Sequence, residues 1–91
     1  MFFEYFSTED GLSDNDVFRI FEDSKGRIWF LTANGRLSFY KNGEFHNEKT
    51  DSILLKMHST SGFFYAFEDS RKRLWFCTIN SQIYILDENN V

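Results

Sequence analysis

Val17–Phe45 reads VFRIFEDSKGRIWFLTANGRLSFYKNGEF, and Phe63–Val91, displaced by 46 positions, reads FFYAFEDSRKRLWFCTINSQIYILDENNV. Ten of the 29 aligned positions are identical without a gap: Phe18/Phe64, Phe21/Phe67, Glu22/Glu68, Asp23/Asp69, Ser24/Ser70, Arg27/Arg73, Trp29/Trp75, Phe30/Phe76, Thr32/Thr78 and Asn34/Asn80. Others are near equivalents, such as Ile28/Leu74 and Leu37/Ile83. Agreement this long and dense marks a tandem repeat; the bland alternative is a duplication whose copies do not stack.

Within a repeat the pattern is short strands joined by tight turns. Val17–Glu22 is rich in aromatic and branched residues. Asp23-Ser24-Lys25-Gly26 then supplies a turn, Asp suiting its first position and Gly26 a positive φ. Arg27–Thr32 is a second strand, Ala33-Asn34-Gly35 a second turn with an Asn-Gly hairpin signal, and Arg36–Tyr40 a third strand ended by Asn42-Gly43. Glu44–Glu48 is the fourth. The expected fold is all-β: two tandem four-stranded antiparallel meander repeats of about 45 residues, the period of β-propeller blades. Both faces of these strands are apolar, with Trp29 and Leu31 on one side and Ile28 and Phe30 on the other. A sheet with one wet face would alternate apolar and polar, so each sheet wants cover on both sides, as radial stacking provides. A two-sheet sandwich is the alternative, but its outer faces would be polar.

Composition sets the outer bounds. The chain has 91 residues, too few for two ordinary domains, and its 42% hydrophobic content argues against disorder. Lys plus Arg is 10 against 14 Asp plus Glu, a net charge of −4. That is a poor footprint for nucleic acid or for an anionic membrane surface. Aromatics are abundant, with 12 Phe, 4 Tyr and 2 Trp. The single cysteine, Cys77, cannot make an internal disulfide. No stretch approaches the roughly 20 apolar residues of a spanning helix, and Met1–Phe6 lacks the layout of a signal peptide.

A ring needs about four to eight blades, so two repeats make an incomplete one, and a piece of a longer chain is the expectation. Residues 1–16 are read as a leading strand, Phe2-Phe3-Glu4-Tyr5-Phe6, and the loop into the first blade; 17–49 as the first blade; 50–91 as the second blade with its last strand missing or truncated. Lys49–Gly62 carries Ile53, Leu54, Leu55 and Met57, which suggests a short strand or packed loop. The expected partners are other blades of the same propeller, or other copies of the chain. The leading strand of one copy would complete the last sheet of the next through their open edges, and apolar blade faces would add to the contact.

The stretch Asp10-Gly11-Leu12-Ser13-Asp14-Asn15-Asp16-Val17-Phe18, followed by Phe21-Glu22-Asp23-Ser24-Lys25-Gly26-Arg27-Ile28-Trp29-Phe30, Thr32, Asn34-Gly35 and Leu37, resembles the two-component regulator propeller repeat, whose pattern runs GLSxNxV and then EDSxGxxWxGT. Residues 9–45 match well and 63–86 less well. Lys72 stands where Gly26 stands, Ser81 where Gly35 stands, and the second repeat lacks a Gly-Leu-Ser lead-in. The resemblance implies a fragment of the periplasmic or extracytoplasmic sensor region of a bacterial sensor histidine kinase. Such a fragment would sense a glycan or other small-molecule ligand and would have no catalysis or cofactor of its own. The alternatives are a propeller enzyme fragment, a lyase or glycan hydrolase, and a pure protein–protein assembly module.

No residue set demands chemistry. Glu22/Asp23 and Glu68/Asp69 recur blade by blade, which suits turn capping better than acid–base catalysis. Asp10, Asp14, Asn15 and Asp16 do not have the spacing of a calcium loop. His46 and His58 lie twelve apart with Cys77 downstream, no zinc-ligand spacing. Cys77 replaces Leu31 and is expected to be a small buried residue. Ser59-Thr60-Ser61-Gly62 is not a nucleophile elbow. Trp29 and Trp75 could stack on a sugar but are better read as blade packing. Nothing singles out Arg36 or Tyr40 as ligand contacts.

Overall fold

The Asp-Ser-x-x-Arg turns fold as their residue types require. Gly26 N–H donates to the Asp23 carbonyl (3.1 Å), and Asp23 N–H to the Arg27 carbonyl (3.0 Å), closing a tight turn with Gly26 at φ +79°. The computed structural model describes residues 7–12 and 16–88. Among them the strands are β1 (Val17–Glu22), β2 (Ile28–Thr32), β3 (Leu37–Lys41), β4 (Glu44–His46), β5 (Phe63–Glu68), β6 (Leu74–Thr78) and β7 (Ile83–Leu86). They form two antiparallel sheets in chain order, β1-β2-β3-β4 and β5-β6-β7. The second sheet has three strands among the described residues. The leading strand, Phe2–Phe6, lies outside the described residues.

Register reproduces the repeat. Phe21 pairs with Trp29 and Trp29 with Phe39; 46 residues on, Phe67 pairs with Trp75 and Trp75 with Ile85. Each first strand slips its register one residue in, at Phe18 and Phe64. The β3–β4 hairpin turns on Asn42 and Gly43, both at positive φ, as a two-residue loop demands. Asn34-Gly35 does something else. Only Gly35 takes positive φ (+78°), and its N–H reaches the Thr32 carbonyl at 3.4 Å, so this turn copies the Asp23–Gly26 geometry. In the second repeat Lys72 and Ser81 hold φ at +66° and +70°. The turn shape therefore survives loss of glycine, at a backbone cost of about 1–2 kcal/mol each.

The two sheets pack face to face. Phe21, Trp29, Leu31, Leu37 and Phe39 of the first meet Phe63, Ala66, Leu74, Phe76 and Leu86 of the second in one hydrophobic cluster. The Trp29 ring lies 4.9 Å from Phe39 and 5.0 Å from Phe76, centre to centre. The segment between the sheets is a packed loop that includes one turn of helix and no strand. Ser52–Lys56 is a short helix, α1. Leu54 and Met57, three residues apart and so on one helical face, enter the core. Before β1, Thr8–Asp10 forms a 3₁₀ turn closed by a Ser7/Asp10 capping box. The outer faces are not polar: Ile20, Ile83 and Ile85 are exposed. A sandwich would have wetted those positions, so the arrangement is that of adjacent blades.

Gly35 has a second role. A Cβ there would collide with the Ser59 carbonyl oxygen, and Ser59 N–H donates to the Gly35 carbonyl at 2.7 Å. Around Gly26 there is open space. Gly35→Ala is therefore expected to cost at least about 2 kcal/mol, and Gly26→Ala about 1, the backbone share alone. Urea unfolding of the two variants measures the difference.

Candidate functional site

The repeated polar motif builds a clasp. Asp23 is buried after β1. Its Oδ1 accepts the amides of Lys25 (2.9 Å) and Arg27 (3.0 Å), and its Oδ2 accepts Arg27 Nε (2.6 Å) and Trp29 Nε1 (2.8 Å). Asp69 repeats the set with Arg71, Arg73 and Trp75, at 2.7–2.9 Å. Burial opposes ionisation of Asp23, but the hydrogen bonds from Trp29 and Arg27 prevail and hold its carboxyl below the ordinary range. The Trp75 hydrogen bond does the same for Asp69, more strongly. Turn capping by these aspartates was legible in the sequence. Their grip on arginine and on indole was not, although the Asp-x₃-Arg-x-Trp spacing, present twice, carries the signal.

Other polar groups join the sheets. Glu68 accepts Ser24 N–H (3.0 Å) and Ser24 Oγ (2.7 Å). Arg27 turns its Nη1 and Nη2 to the Glu88 carboxylate, at 3.1 and 2.6 Å. The Arg19 guanidinium lies 4.6 Å from the centre of the Tyr65 ring. Among the described residues no buried side-chain nitrogen or oxygen lacks a partner. The motif's polar atoms are thus used by the fold.

The candidates from the sequence do not converge. Glu22 is exposed, on the opposite face from Trp29. Asp14 and Asn15 lie outside the described residues, and Asp10 accepts the Ser7 amide. No metal-binding group of His, Cys, Asp and Glu forms among the described residues. Ser59 Oγ is engaged with Gln82 at 3.0 Å. Arg36 pairs with Glu48 at 3.2 Å. Trp29 is buried, as expected, whereas Trp75 is half-buried and stacks on Phe67. Cys77 holds the strand place of Leu31 but is part-exposed, not buried, because among the described residues no further sheet covers its face.

One groove of about 490 Å³ is lined by Arg27, Phe39, Lys41, Asn42, Glu44 and His46. Phe39 and His46 pair across β3 and β4, their rings stacked at 4.5 Å. They share the Trp29 face, so the groove lies on the side the second sheet covers, beside strand β4, which has no counterpart in that sheet among the described residues. His46 Nδ1 is 2.9 Å from Asp51, and the hydrogen bonds from His46 and Thr50 hold Asp51 low against the opposing effect of burial. The side chains of Lys41, Asn42 and Glu44 make no hydrogen bond or ion pair among the described residues. An aromatic floor with a cation, an amide and a carboxylate at its rim suits a small polar ligand. Sequence reading missed this site because its residues are ordinary members of β3, β4 and their turn.

Residues 11–34 match the family model of the two component regulator propeller. The match spans the lead-in, β1, the Asp23 clasp and β2. Over that segment the chain is similar to a two component regulator propeller repeat. The search of curated proteins found no match, nor did that of solved structures. The two component regulator propeller is a repeat family and not a catalytic one, in keeping with carboxylates spent on their own turns. Among the described residues no helix is long and apolar enough to cross a membrane.

Proposed function

We propose that the chain is a non-catalytic part of the ligand-sensing propeller of a bacterial two-component sensor, located outside the cytoplasm and coupled in the full protein to a histidine kinase. The observation that carries this reading is the family match over the clasped turn unit, which the chain holds twice. The ligand is a small polar molecule of the glycan class, held in the groove over Phe39, with Lys41, Asn42 and Glu44 meeting its hydroxyls. Titration of the chain with neutral and acidic oligosaccharides, followed by NMR, tests it. Shifts of the His46 and Lys41 signals that vanish in Lys41→Ala are expected. Oligosaccharides that leave those signals unmoved at millimolar concentration would overturn it. The exposed apolar blade faces favour a second reading, an assembly module. As an enzyme fragment the chain would need polar groups converging on reacting atoms.

A further inference from the structure

Asn-Gly occurs twice in the chain, at Asn34-Gly35 and at Asn42-Gly43, and the fold treats the two pairs in opposite ways. Asn34 Oδ1 accepts Thr32 Oγ1 at 2.8 Å and the Arg36 amide at 3.1 Å. Gly35 is buried; its N–H reaches the Thr32 carbonyl, and its carbonyl takes the Ser59 amide at 2.7 Å. In the second repeat Asn80 stands where Asn34 stands. Its Oδ1 is likewise held by Thr78, at 2.6 Å, and Ser81 replaces the glycine. Asn42 and Gly43 are both exposed, at the tip of the β3–β4 hairpin. Among the described residues no hydrogen bond holds the Asn42 side chain or the Gly43 amide. A Cβ at Gly43 would meet nothing within 4 Å.

We propose that Asn42 is a site of spontaneous deamidation, a modification that places a new carboxylate on the rim of the groove. The Gly43 main-chain nitrogen gives its proton to solvent base and attacks Asn42 Cγ. The N–Cγ bond forms, the Cγ–Nδ2 bond breaks, and Nδ2 leaves as ammonia, taking up a proton. Water then opens the cyclic imide at either carbonyl, giving aspartate or isoaspartate. Amide plus water becomes acid plus ammonia, with no oxidation or reduction. Glycine favours the attack because no Cβ shields its nitrogen. The nitrogen reaches Cγ only when the turn opens. Strand β4 is 3 residues long, so opening the hairpin tip breaks few bonds. The product adds one negative charge to the chain's −4, beside Glu44 in the groove wall. Isoaspartate also lengthens the backbone of a tight hairpin turn. The inference goes beyond the ligand reading and stands without it.

Incubation of the chain in warm buffer from neutral to mildly alkaline pH, followed by peptide mapping with mass spectrometry, tests this. Asn42 should convert at least about tenfold faster than Asn34, whose turn must first lose two hydrogen bonds. The rate should rise with pH, since the deprotonated amide is the nucleophile, and the aged chain should bind an anion exchanger more tightly. In urea, where neither turn persists, the two sites should react at similar rates, which assigns the difference to the fold. Asn42→Gln should abolish the fast phase, because the longer side chain closes a larger ring slowly. Equal rates at Asn42 and Asn34 in the folded chain would overturn the proposal, and so would an Asn42 that stays intact. A gap in urea as wide as in the folded chain would overturn it too, since the cause would then lie in the neighbouring residues and not in the hairpin.

Discussion

Asp23→Ala is expected to lower the unfolding free energy by about 3–5 kcal/mol, the cost of removing one partner from a buried ion pair. The Asp23 side chain is fully buried, and its two oxygens hold two turn amides, the Arg27 guanidinium and the Trp29 indole. Alanine leaves all four donors to find water or stay unpaired. Arg27 keeps Glu88, so its charge retains one counterion. Asp69→Ala removes the same bonds from a more open site and should cost less. Thermal unfolding of both variants gives the comparison. Acid should act on the same groups. Asp23 and Glu88 ionise below their ordinary range in the folded chain, so the unfolded chain binds more protons as pH falls. The stability they confer is full above about pH 4.5 and drains away as pH drops through the carboxylate range toward their depressed values. Asp23→Ala should flatten that acid limb. An unchanged acid limb in the variant would mean that Asp23 carries none of the dependence.

Trp29→Ala should cost a similar amount, about 3–5 kcal/mol, for a different reason. Trp29 has no exposed surface and lies between Phe39 of its own sheet and Phe76 of the other. Its loss opens a cavity at the seam between the two sheets and strands one oxygen of Asp23. A chain of 91 residues has about 5–14 kcal/mol of stability in all, so either substitution removes a large part of it. Trp75→Ala, at the half-buried equivalent, should cost clearly less. Urea denaturation of the pair measures what the missing neighbour is worth, and equal costs would mean that cover by a second sheet adds nothing.

Lys72 shows why local sequence was readable. It replaces Gly26, yet the turn keeps its shape, because the Asp69 carboxylate grips the Arg71 and Arg73 amides whatever stands between them. The groove was not readable, since it depends on how the second sheet packs against β3 and β4 of the first. Nor was α1: four apolar residues in a short linker fit a strand as well as a helix, and the core that takes up Leu54 and Met57 chose the helix.

The amino-acid order alone determined the repeat, the strands and the turns, since each is held by bonds that close within a few residues. Only the tertiary structure decided which copy of each repeated residue is dry. Trp29 and Trp75, or Leu31 and Cys77, share one strand position and differ in burial. Burial belongs to the neighbouring sheet, and among the described residues the first sheet has that neighbour on its Trp face while the second does not.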